Sequence, residues 1–458
     1  MTSKSAFFGA FFIVCIFGVV IFLAVVKWDL SPHIPMLFGC GAASLIAMLE
    51  GYSWKIIQEG MVKGITQALE AIIILMLISV LMGVWTNSGV LPAMIYYGLQ
   101  FISPKFFLVS AMVITSIGSM AIGSWGSAGT LGISFIGMAQ ILNIPIPVVA
   151  GAIISGAYVG DQFSPLSDST NLTSAVAGIN VFDHVRHMFP IIGTAYLISA
   201  SFYLVLGLKY GTNDPATIIN DIGLYTDSLT GAFNITPLLF LPLIILICCI
   251  RKKIPAILSV SIGIIVAGVL GILLQGNSIK QLMESALSGY ISMTGNSVVD
   301  RLLTVGGLNA MMESVSLIII AMMFGGIMEK TGQMQALVMP ILQRVHSLCG
   351  LTVAVISTSI ICNVLMPDQY IGIALPGRMY SEEYDKHKID HRKLGAALAA
   401  GGVATSSLVP WNTCGNFMAG ILGVSAFYYA PYAFFNLILP FLTVLFISAF
   451  GRKAEQIT

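Results

Sequence analysis

Residues 160–172 read GDQFSPLSDSTNL, between an apolar run, PIPVVAGAIISGAY at 145–158, and a small-residue run at 173–178. The flanks mark a buried membrane segment, yet the stretch carries two aspartates, Asp161 and Asp168. Each costs about 2.5–3.5 kcal/mol to insert at a helix centre. Pro165 lies between them, breaks the helix and frees backbone carbonyls in mid-membrane. Such groups are tolerated only where they line a cavity or bind something. Carboxylates, carbonyls and hydroxyls together form a hard-oxygen cage suited to a small cation or a proton.

Composition places the rest of the chain around this segment. Of 458 residues, 57% are hydrophobic and 9% charged, and glycine is abundant at 46, which describes an all-α polytopic membrane protein rather than a globular enzyme. A net charge of +1 gives no footprint for nucleic acid. The 7 cysteines lie mostly in apolar stretches without ligand spacing, so neither a disulfide framework nor a zinc site is expected, and no cofactor. The first apolar run, 6–26, is long for a signal-peptide core and lacks an A-x-A site, which predicts a retained span. The 6 histidines fall in predicted loops or at span ends, and the 23 methionines are assigned to packing.

Hydropathy predicts further spans at 34–50, 67–86, 188–208, 236–250, 254–275, 314–329 and 430–450, and two glycine-rich broken helices at 146–182 and 394–425. The pieces 91–101 and 335–345 are too short to cross roughly 30 Å of hydrocarbon and read as interfacial helices. After each comes an apolar–polar–apolar unit, 106–141 around Gly123-Ser124-Trp125-Gly126 and 351–376 around Pro367-Asp368-Gln369. Both units read as re-entrant hairpins.

The order recurs because the chain repeats internally. Glu70 matches Glu313, Gly83 matches Gly326, Gly89 matches Gly332 and Thr115-Ser116-Ile117 matches Thr358-Ser359-Ile360, each pair 243 residues apart. Two inserted residues later Pro165 aligns with Pro410, so SPLSDST (164–170) corresponds to VPWNTCG (409–415). Each repeat, 1–210 and 236–458, then holds five crossings, an interfacial helix and a hairpin, with an external linker at 211–235. An odd number of crossings brings the second copy in from the opposite face, an inverted repeat. With both termini cytoplasmic, only Lys27, Lys105, Lys209, Lys280 and Arg301 of the 21 basic residues fall outside, in keeping with the positive-inside rule.

At the first break, Asp168 with Ser167, Thr170 and the freed carbonyls can supply a dehydrated Na+ with oxygen ligands. Asp161 is close enough that both carboxylates cannot cheaply stay charged, which predicts competition between Na+ and protons. The plainer alternative is a structural carboxylate bonded to free amides of the half-helix. The second break has no carboxylate. Asn412 stands opposite Ser167 and Thr413 opposite Asp168, either completing a cation shell or bonding an organic substrate, and a simple packed helix break fits equally well. Asp368, at the expected tip of the second hairpin, is a candidate gate or further cation ligand, or a solvated tip. Glu70 and Glu313 fit carboxylates at helix N-termini.

GDQFSPLSDSTNL, together with GSWGSAGTLG (123–132), LVPWNTCGNFMAGILG (408–423) and AFYYAPYAFFNLILP (426–440), resembles the NhaC-type Na+/H+ antiporter family, from about Glu59 onward. The resemblance implies the ion-transporter superfamily, with paired hairpins and broken helices, elevator-type homodimers and a bacterial plasma membrane location. It maps the cation site onto Asp161, Ser164, Asp168, Thr170, Asn412 and Thr413. It leaves two readings open. One is Na+/H+ exchange. The other is Na+- or H+-coupled exchange of a small organic anion or amino acid, of the malate or lactate type, with Asn412, Thr413 and the hairpin tips holding the solute. No Lys or Arg lies in a predicted core segment to meet an anion, although half-helix N-termini and a bound cation can replace one. A membrane enzyme has little support, since Ser, His and Asp do not converge at one depth and metal-ligand spacing is missing.

Overall fold

The computed structural model describes residues 3–28, 30–165, 167–210, 215–252, 254–342 and 347–451. Lys253, Arg344, His346, Arg452, Lys453 and the first residues of the expected linker lie outside that range. Every regular element among the described residues is helical. Seven helices there are long and apolar enough to cross a membrane, or nine if two bent pairs each count as one span. The protein is an all-α polytopic membrane protein.

Two long helices, Trp54–Asn87 and Met312–Lys330, form a central crossing. A Cβ on Gly64 would lie 2.1 Å from the Met322 carbonyl oxygen, and one on Gly326 would lie 2.2 Å from that of Gly60. Only glycine lets these backbones meet, the close approach that small residues permit between membrane helices. Hydropathy finds only 67–86 of the first helix because its first turns are polar. They are held by exposed ion pairs, Lys63 to Glu329 at 3.0 Å and Lys330 to Glu59 at 3.6 Å. Such exposed pairs contribute little individually.

The chain reverses direction within both segments expected to be hairpins. In Phe107–Ser127 the chain reverses at Gly123, whose φ of 74° and ψ of 169° suit a residue without a side chain. Ser127 Oγ donates to the Thr115 carbonyl at 2.8 Å, a contact that a straight helix would place about 18 Å apart. The second hairpin turns through Met366-Pro367-Asp368 between Leu348–Leu365 and Gln369–Lys386, and Thr358 Oγ1 meets Tyr380 OH across it at 2.9 Å. Its return arm runs past Pro376, where the sequence reading stopped, because the helix tolerates the proline and continues through polar residues to Lys386.

The broken helices are Ile146–Phe163 with Asp168–Val176, and His391–Leu398 leading through a π turn, Ala399–Val403, to a break before Thr413–Leu422. Three features add to the expected order. Val90–Phe101 has the short length of an interfacial helix, but Val90, Leu91, Pro92, Ala93, Met94, Ile95 and Leu99 are buried, so it packs into the protein interior. Most of the expected linker is a helix, Pro215–Ala232. Two further short helices, Ile279–Ser288 and Ser297–Leu303, cap the stretch before Met312–Lys330. Their polar faces gave hydropathy no signal.

Candidate functional site

The first hairpin tip meets the first helix break at Asp161. This residue is 5% exposed, near the end of Ile146–Phe163. Its Oδ2 accepts from Ser169 Oγ at 2.5 Å and its Oδ1 from the Ser124 backbone N–H at 3.3 Å. Ser124 opens the return arm of the hairpin, so the carboxylate sits on a helix N-terminus, where the backbone dipoles favour negative charge. Thr170 Oγ1 donates to the Asp161 carbonyl at 3.0 Å, Ser167 Oγ meets Ser169 Oγ at 3.0 Å, and Ser164 Oγ donates to the Met120 carbonyl at 3.1 Å. Ser167, Ser169, Thr170 and Ser164 are all buried. The ion pairs of the described residues all join other groups, so no cationic side chain neutralises Asp161. A buried carboxylate without a fixed cation is a place for a mobile one.

Asp168 differs. It is exposed, at the first residue of Asp168–Val176, and Ser167 at the cap makes no side-chain hydrogen bond to the backbone N–H groups of that turn. The carboxylate that the sequence reading placed first is therefore the more open of the two. The break turns the chain so that Ser169, one residue on, points back at Asp161.

The second break meets the second hairpin in the same manner with different chemistry. Asp368 is buried and caps its own return arm, accepting from the N–H groups of Tyr370 at 2.9 Å and Ile371 at 3.3 Å. Thr413 Oγ1 donates to Asp368 Oδ2 at 3.4 Å, and the Thr413 N–H donates to the Pro367 carbonyl at 2.9 Å. Asn412 accepts from the Cys414 N–H at 3.0 Å and donates to the Asn363 carbonyl at 3.1 Å. The Asn412 amide nitrogen and both Thr413 donors are thus engaged with hairpin two, Asn412 Oδ1 caps its own half-helix, and none of these hydrogen bonds reaches Asp161. Asn363 holds the π turn from the hairpin arm, donating to the carbonyls of Gly402 at 2.9 Å and Gly401 at 3.3 Å. A π segment frees backbone carbonyls and is frequent at functional sites.

The two halves touch directly. Trp125 at the first tip stacks on Phe417 of Thr413–Leu422, centroids 4.0 Å apart and 17° from parallel. Tyr158 OH meets Ser406 Oγ at 3.4 Å across the two broken helices. Ser169, Asn363, Tyr158 and Gln369 were not read as site residues from the sequence. Ser169 lies inside the opening motif and aligns with Cys414, a usable hint. Asn363 aligns with Met120, so the repeat concealed it.

The sequence profile of the Na+/H+ antiporter family matches residues 1–208 and 156–451. The chain belongs to that family. It is 34% identical to the Na+/H+ antiporter NhaC of Bacillus subtilis, over 95% of each chain. It is also 34% identical to the malate-2H+/Na+-lactate antiporter of the same organism, over 95% of this chain and 94% of the relative. The arginine/ornithine antiporter of Halobacterium salinarum is 35% identical, over 93% of this chain and 89% of its own. The protein is a multi-pass cation/proton antiporter, and Na+ and H+ are its transported ions.

Proposed function

We propose that Na+ and H+ compete for Asp161, and that the occupied site is what crosses the bilayer. The observation that carries this reading is the buried Asp161 carboxylate, bonded only to neutral donors at the hairpin tip and helix break. Ser164, Ser167, Ser169 and Thr170 surround it with hydroxyl oxygens and supply the remaining cation ligands. Moving an unneutralised carboxylate through hydrocarbon is the costly step. Asp161 therefore crosses either protonated or Na+-loaded, and an inward step with one ion must be matched by an outward step with the other. Asp168, exposed at the break, is assigned to cation entry, and Asp368 with Thr413 and Asn412 to a gate at the second tip. No covalent chemistry is required, so the chain is not assigned as an enzyme.

The wider arrangement follows the same proposal. The two repeats are inverted, both termini are cytoplasmic, and the site moves elevator-fashion within a plasma-membrane homodimer. The close glycine crossing of Trp54–Asn87 with Met312–Lys330 supports a rigid frame, against which the hairpins and broken helices travel.

The test is internal pH in proteoliposomes after a Na+ jump, without organic solute. Wild-type protein gives Na+-dependent proton flux and Asp161→Asn gives none, while Asp168→Asn keeps flux with a raised Na+ requirement. Full flux in Asp161→Asn would sink the assignment.

A second reading is favoured by the relatives. Two of them are named for malate and lactate or for arginine and ornithine, all carboxylic acids with a hydroxyl or amino group on C2. In this reading a small organic acid of that kind is exchanged together with the cation.

A further inference from the structure

Gln162 follows Asp161 in the same helix and is 3% exposed, yet neither its Nε2 nor its Oε1 has a hydrogen-bond partner. Buried amides are ordinarily paired, and one left open at both ends needs a ligand to complete it. Side chains at i and i+4 share a helix face, so Gln162 lies beside Tyr158, and Tyr158 faces the second break through Ser406. Asp161, about 100° round the helix, faces the first hairpin tip instead. Adjacent residues thus serve two different seats.

The groups around the Tyr158 face are neutral and divide by role. Ser406 Oγ lies within donating distance of Gln369 Oε1 at 3.2 Å and of the Val403 carbonyl at 2.8 Å. Its single proton is spent there, so Tyr158 donates to Ser406 and keeps its own oxygen lone pairs. Cys414 Sγ also donates to Gln369 Oε1, at 2.9 Å, leaving the Gln369 amide nitrogen as a donor. The seat therefore offers two amide donors, Gln162 Nε2 and Gln369 Nε2, and two acceptors, Gln162 Oε1 and Tyr158 Oη.

We propose that Gln162, Tyr158 and Gln369 form the solute seat of this antiporter, for a small carboxylate bearing a hydrogen-bond donor on C2. The carboxylate takes the two amide nitrogens, and the C2 hydroxyl or ammonium takes the Gln162 carbonyl and the Tyr158 oxygen. Its negative charge is met by the cation at the neighbouring Asp161 rather than by a basic side chain. The inference rests on the second reading above and moves its solute away from Asn412 and Thr413, whose side-chain donors are engaged with hairpin two.

The experiment uses full-length protein in liposomes under a Na+ gradient, with uptake of radiolabelled L-lactate, L-alanine and propionate. Lactate reports a C2 hydroxyl, alanine a C2 ammonium, and propionate neither. The expected result is uptake of lactate or alanine at least about tenfold above propionate, with the preference lost in Gln162→Leu. Tyr158→Phe keeps the ring and is expected to raise the KM of the preferred solute several-fold; it serves if Gln162→Leu does not fold. Equal uptake of all three, or an unchanged preference in both variants, overturns the seat. So does absence of uptake of all three while Na+-driven proton flux persists in the same vesicles. Loss of that flux in wild-type vesicles would instead refute the exchange reading.

Discussion

Gly160→Ala tests whether the packing of the first broken helix sets the geometry at Asp161. A Cβ at Gly160 would lie 2.1 Å from the Ser116 carbonyl oxygen, where ordinary contact begins at 3.4 Å. The obstacle is backbone, so the helix and the hairpin arm must part by about 1.3 Å, an overpacking cost of about 1–3 kcal/mol. Asp161 moves with its helix and Ser124 with the hairpin. Their hydrogen bond, already 3.3 Å, then stretches beyond hydrogen-bonding range. Losing one bond to a charged group, worth about 1.5–3 kcal/mol, raises the Na+ needed for half-maximal flux at least about tenfold. The assay is proton flux in proteoliposomes against Na+ concentration. Gly193→Ala is the control, since nothing lies within 4 Å of its added Cβ. A Gly160→Ala protein of normal yield and unchanged Na+ dependence would refute the link between this contact and the site.

Other expectations follow from the same geometry. Asn363→Ala removes the donor to the Gly401 and Gly402 carbonyls at the π turn and should lower thermal stability in detergent by several degrees, from a loss of about 2–4 kcal/mol; an unchanged melting temperature would show that the π turn does not depend on it. Asp300, in the first turn of the short helix Ser297–Leu303, accepts from the Thr294 N–H at 2.6 Å and Thr294 Oγ1 at 2.8 Å. These bonds, the Thr294 N–H foremost, hold its carboxyl below the usual carboxylate range. Its contribution is therefore present at neutral pH and lost as pH falls through that lowered value. Hydrogen exchange at Thr294 and Gly295 should accelerate there, and in Asp300→Asn at neutral pH.

Much of this architecture was legible because membrane insertion allows few solutions. Pro165 and Pro410 mark both helix breaks, and an apolar–polar–apolar pattern marks the two segments in which the chain reverses. The site was half legible. GDQFSPLSDSTNL drew attention to both aspartates, but placing Asp161 above Asp168 required knowing where the chain turns after Pro165. That turn depends on the hairpin tip offering the Ser124 N–H, a contact 37 residues away in sequence. Asn363 and the π turn were invisible for a related reason, since backbone carbonyls freed by local geometry leave no residue signature. The burial of Val90–Phe101 was not legible either, because the length of a short helix does not reveal how much of it packs against the protein.

The central claim, competition of Na+ and H+ for Asp161, is tested most directly by Na+ binding to the purified protein across pH. Below the carboxyl's own pKa the apparent Kd should weaken about tenfold per pH unit. Each Na+ bound there should release a proton, and Asp161→Asn should bind no Na+ at any pH. Na+ binding that ignores pH, or that survives in Asp161→Asn, would contradict the account.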